Sequence, residues 1–153
     1  PRVTRDLDLT LFTGFGGEAP VVDVLLAHYR GRRPDARDFA LRHRVLLLTT
    51  PAGIPADVAL GALPFEADMI ARAADVEFEP GVNLRICSAE DLLVLKAFAD
   101  RLQDRADVLG IARRRGRRLD WDAILTRLAP LAATKGEPGT LERVRALREQ
   151  FGR

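Results

Sequence analysis

The chain has 153 residues, 47% of them hydrophobic, and 24 Lys+Arg against 22 Asp+Glu give a formal charge of +2. This suits one respectable core with a small appended helical subdomain, and the charge is too small for an overall nucleic-acid polycation. No apolar run approaches the roughly 20 residues of a membrane span, and "PRVTRD" has neither the apolar core nor the cleavage pattern of a signal peptide, so the expectation is a cytoplasmic protein.

"TRDLDLTLF", residues 4 to 12, reads as a strand. Alternation places Asp6, Asp8 and Thr10 on one face, with Leu7, Leu9 and Leu11 on the other, buried face. Two carboxylates side by side are costly to keep charged unless a cation lies between them, and their spacing suits divalent metal. The alternative is the wet face of an edge strand with Arg2 and Arg5 as neutralising neighbours.

"TGFGGEAP" is a loop, and "VVDVLLAHY" sets Val21, Val22, Leu25, Leu26 and Tyr29 at helical spacing. "GRRP" breaks that helix, "DARDFALRHR" forms a short one, and "RVLLLTT" has strand character. "PAGIP" then turns the chain into "ADVALGAL", a second strand of a hairpin. Asp57 of that strand faces away from Val58 and Leu60. It is either a third carboxylate converging on Asp6 and Asp8, enough hard oxygen for two magnesium ions, or a strand-end turn cap. "FEADMIARAA" is helical, and "VEFE" and "VNLRIC" flank "PGV" as two short strands.

From Ser88 helices dominate. Ser88 caps "AEDLLVLKAFADR", its hydroxyl serving the amide near Asp91, while Glu90 and Asp91 suit the positive helix end. "DRADVLGIARRRG", "DWDAILTRLAPLA" and "TLERVRALREQF" supply three more helices. Cys87, the single cysteine, excludes an internal disulfide; with only His28 and His43 beside it there is no zinc spacing, and it reads as core. The fold class is therefore α/β (α+β): a mixed sheet with flanking helices over residues 1–87, then a helical subdomain over 88–153.

"VTRDLDLTLF", "GIPADVALGALPFE" and "SAEDLLVLKAFADRLQDRADVLGI", in that order, resemble the bacterial nucleotidyltransferases of the DNA polymerase β-like superfamily, specifically the AbiEii-toxin-like group. The resemblance covers nearly the whole chain. It implies a magnesium-dependent enzyme that moves a nucleoside monophosphate from an NTP to a hydroxyl acceptor. Asp6, Asp8 and Asp57 would be the metal-binding catalytic carboxylates, with Lys96 on the nucleotide phosphates and Asp104 and Asp107 as the downstream acidic element. It also implies an RNA or tRNA acceptor, a toxin's role and an antitoxin partner. The family's upstream helix and glycine turn, which hold the triphosphate, have no counterpart here; "GFGG" follows the strand and reads as a flexible loop. Residues 1–153 alone are accordingly expected to bind magnesium weakly and not to transfer nucleotide, with an apolar patch beside the first strand open to a second copy or a partner.

The residues themselves leave alternatives. Lys96 is equally a stem snorkelling to solvent, and Arg101, Asp104 and Asp107 at i,i+3 spacing suit a structural ion-pair network. A second function class is a catalytically inactive nucleic-acid- or protein-binding module, suggested by "RRRGRR" at 113–118. That run also suits a solvated helix end facing the carbonyl dipole, and Trp121 nearby reads as core.

Overall fold

The computed structural model describes residues 6–137 and 139–153, so Arg2 and Arg5 lie outside the described residues. The chain divides into two compact units, one running to Ala71 and the other from Arg72 to Arg153.

The first unit is a four-stranded mixed sheet with helices. β1 (Leu7–Phe12) is followed by α1 (Glu18–His28), the two-residue β2 (Arg30–Gly31), α2 (Ala36–His43), β3 (Val45–Thr49), β4 (Pro55–Gly61) and α3 (Pro64–Arg72). The strand order is β1-β4-β3-β2, with β1 parallel to β4 and the other pairs antiparallel. β3 and β4 form the expected hairpin. Its turn closes with Thr50 donating its amide to the Ile54 carbonyl at 2.9 Å, and Gly53 supplies a φ of 80° that a side chain would resist.

Alternation along the hairpin decides what is buried. Leu46, Leu48, Ala56, Val58 and Leu60 point to one face, where they pack with Val22 of α1 and Ala36 and Ala40 of α2. β1 carries Leu7, Leu9 and Leu11 in register with Ala56, Val58 and Leu60, hence on that same face. They are nevertheless 47%, 50% and 41% exposed, which corrects the expectation of a buried leucine face. β1 is an edge strand, and the helices cover the hairpin instead.

The second unit opens with an antiparallel hairpin, β5 (Ala74–Glu79) and β6 (Val82–Ile86), whose residues are all exposed. Four helices follow: α4 (Ala89–Ala99), α5 (Leu102–Arg115), α6 (Trp121–Lys135) and α7 (Gly139–Phe151), with a single 3-10 turn at Gly116–Arg118. Leu93, Val94, Ile111, Ile124, Leu128 and Val144 form their shared interior, and Trp121 is buried there. The division at 71/72 differs from the expected 87/88. The β5–β6 hairpin forms a sheet of its own, so nothing ties it by strand pairing to the four-stranded sheet. Cys87 is half-buried, and burial followed by the charge of Asp91 pushes its thiol up.

Candidate functional site

Asp8 and Asp57 are direct partners across the parallel β1–β4 pair, a separation of about 5 Å between backbones. Asp6 precedes Asp8 by two residues, in a bend just before β1. The face of Asp8 and Asp57 also carries Thr10, Ala59 and Leu47, opposite the leucine face. Asp8 and Asp57 therefore stand together near the start of β1, with Asp6 close enough for its charge to act on Asp57. Burial pushes the Asp57 carboxyl above its ordinary range, and the charges of Asp8 and Asp6 push it the same way, against the attraction of Arg32.

Arg32 is the residue that sequence reasoning missed. It follows β2, donates its backbone amide to the Leu47 carbonyl at 2.9 Å, and places its guanidinium on the Asp57 carboxylate. "GRRP" reads only as a helix break, and a two-residue strand has no periodicity to betray it. Among the described residues no three His, Cys, Asp or Glu side chains draw close enough to cage a metal. The donor oxygens are nonetheless right in kind for a hard cation: Asp8 and Asp57 face each other across one strand pair, and Arg32 supplies positive charge beside them.

The glycine loop lies away from these acids. Thr13 and Gly14 both donate their amides to the Gly61 carbonyl, which fixes "TGFGGE" at the far end of β1, roughly 16 Å of extended chain from Asp8. Arg44 reinforces it by pairing with Glu18 and donating to the carbonyls of Leu60 at 2.6 Å and Gly14 at 3.0 Å.

Lys96, Asp104 and Asp107 belong to the helical unit, and there they meet. The Lys96 ammonium lies 3.4 Å from Asp104 and 3.3 Å from Asp107, on facing sides of α4 and α5. Asp104 is buried and also accepts from the Arg101 guanidinium at 2.6 Å. Burial alone would raise its carboxyl; Arg101 and then Lys96 outweigh that and hold it below the usual range. The ion-pair network weighed from the i,i+3 spacing of Arg101, Asp104 and Asp107 is thus present, with Lys96 as its fourth member.

Asp91 is the other carboxylate buried in this unit. It accepts from Arg72 at 2.8 Å, Arg127 at 3.0 Å and the Ser88 hydroxyl at 3.1 Å, while its own amide donates to that hydroxyl at 3.0 Å. The cap was legible in sequence, but the two arginines were not, being 19 and 36 residues away.

Comparison with protein-family models and with curated proteins returns no match for this chain. Among the described residues no helix is long and apolar enough to cross a membrane.

Proposed function

We propose that this chain is the catalytic part of a magnesium-dependent nucleotidyltransferase, transferring a nucleoside monophosphate from an NTP to a hydroxyl acceptor such as an RNA or tRNA end, with a toxin's role and an antitoxin partner. One observation carries the reading: Asp8 and Asp57 are neighbours in register on parallel strands, with Asp6 two residues before Asp8. The resemblance of the three sequence blocks stands beside it.

In this reading Asp6, Asp8 and Asp57 hold the metal. Magnesium, when bound, supplies Lewis-acid polarisation of the phosphoryl oxygens and stabilises the departing pyrophosphate. Asp57, whose carboxyl burial holds above its ordinary range, takes the proton of the acceptor hydroxyl. Arg32 pairs with Asp57 and holds its carboxylate in place. The resemblance would put Lys96 on the nucleotide phosphates; in the helical unit its ammonium pairs with Asp104 and Asp107.

The test is transfer of label from α-labelled NTPs to total tRNA by the whole protein, with and without magnesium. Transfer is expected to need magnesium and to vanish in Asp8→Asn, whose circular dichroism stays native. Transfer that survives Asp8→Asn removes Asp8 from the mechanism. The Arg32–Asp57 pair favours one second reading, a catalytically inactive binding module, in which no NTP yields product and Arg32→Ala fails to awaken any.

A further inference from the structure

Five arginines occupy positions 113, 114, 115, 117 and 118, where α5 ends. The intervening glycine is a packing contact. Gly116 is buried, its carbonyl accepts from the Trp121 indole at 2.8 Å, and a Cβ there would lie 2.4 Å from the Phe151 carbonyl oxygen and 2.7 Å from the Phe151 Cβ. The end of α7 is thereby seated against the arginine turn, and Arg153 joins it. The outcome is a cleft of about 550 Å³ lined by Arg113, Arg114, Arg115, Arg117, Arg118 and Arg153, with no Asp or Glu side chain in its lining.

These arginines differ from the rest of the chain. Among the described residues none of the six is in an ion pair. Apart from Arg30, every other described arginine has a carboxylate within reach, from Arg32 with Asp57 to Arg148 with Asp122. The carbonyl ends of α5 and α7 offset only part of this charge, since a helix dipole amounts to about half an elementary charge. Five guanidiniums on one helix end and its turn, with Arg153 beside them, form a concave positive surface suited to anions.

We propose that this cleft binds the phosphate backbone of double-stranded nucleic acid without reading its sequence. Arginine forks match phosphate oxygens bidentately, and several neutralised phosphates supply affinity by counterion release. Single strands are normally gripped by stacking their bases on aromatic faces. The cleft offers a single aromatic in its lining, Phe151, half-buried against Gly116, and nearby Trp121 is 5% exposed with its indole bonded, so no row of faces is available for successive bases. The inference does not depend on the nucleotidyltransferase reading and would hold for an inactive module.

The experiment measures binding of this chain to fluorescein-labelled RNA and DNA duplexes of about 20 base pairs, and to a single-stranded oligonucleotide of equal length, across a salt series. Both duplexes are expected to bind more tightly than the single strand, with affinity falling linearly in log salt. Arg114→Ala with Arg117→Ala and Arg118→Ala should lose about 100-fold at 0.1 M salt and flatten the slope by about 2.7, at 0.9 per phosphate contact. The control Arg33→Ala with Arg37→Ala and Arg42→Ala removes the same formal charge from ion-paired positions and should stay within about 3-fold. A glutamine set at 114, 117 and 118, which keeps the side-chain stems, should fall with the alanine set if the charge is what binds. Equal losses in cleft and control variants, tighter binding of the single strand, or no duplex binding would each overturn the proposal.

Discussion

At the scale of single residues, two carboxylates respond to their surroundings in opposite directions. Asp91 is fully buried, which raises its pKa, but Arg72, Ser88 and Arg127 together bring it below the ordinary 3.8. Its contribution to stability is therefore complete above that ordinary value and is lost as pH falls through the lower native one. Asp91→Ala leaves two arginines facing a vacated site and should cost about 3 kcal/mol, read as a lower urea midpoint. Asp57 has the contrary sign. Its native pKa is raised, so the fold binds its proton more tightly than the unfolded chain, and stability declines as pH climbs from the ordinary value through the raised one. Asp57→Asn should remove that decline from a pH series of thermal midpoints. Of these positions the sequence made visible the acids and the Ser88 cap, because a strand's alternation and a helix start are local. Arg32, Arg72 and Arg127 stayed hidden, because nothing near them in the chain says which carboxylate they will meet.

At the scale of elements, what matters is which face of each has a neighbour. α2 ends at Arg44 in the left-handed region with a φ of 56°, and the same residue returns its side chain to the glycine loop and its carbonyl to the Leu60 amide. β1 has only β4 beside it, so half of its backbone groups and all of its leucine face are open. Leu9→Lys should therefore leave the urea midpoint nearly unchanged and raise solubility, because a lysine on an exposed edge strand discourages edge-to-edge pairing. Gly116 shows the reverse situation. Gly116→Ala forces backbone apart where α7 meets the arginine turn and should cost about 1 to 3 kcal/mol, with faster amide exchange confined first to residues 144–151.

At the scale of the whole molecule, each unit has its own interior. Residues 72–153 enclose Leu93, Ile124, Leu128 and Val144 among four helices and carry the Asp91 and Asp104 clusters entirely within themselves. Expressed alone, that segment should keep a helical far-ultraviolet spectrum and unfold cooperatively in urea; a non-cooperative loss of signal would show that it needs the sheet. The sequence by itself determined the element types apart from β2, the β3–β4 hairpin, the helical character after Ser88 and the alternation that sets Asp8 opposite the leucines of β1. Those follow from residue spacing and short-range hydrogen bonding. Only the tertiary structure decided that β1 lies at the sheet's edge with its leucines exposed, that β5 and β6 leave the main sheet, and that Arg32 caps Asp57. It alone also showed that, among the described residues, the six cleft arginines are in no ion pair. Each of these depends on pairing between distant segments, and hydrophobic alternation is the same whether or not a partner arrives to cover it.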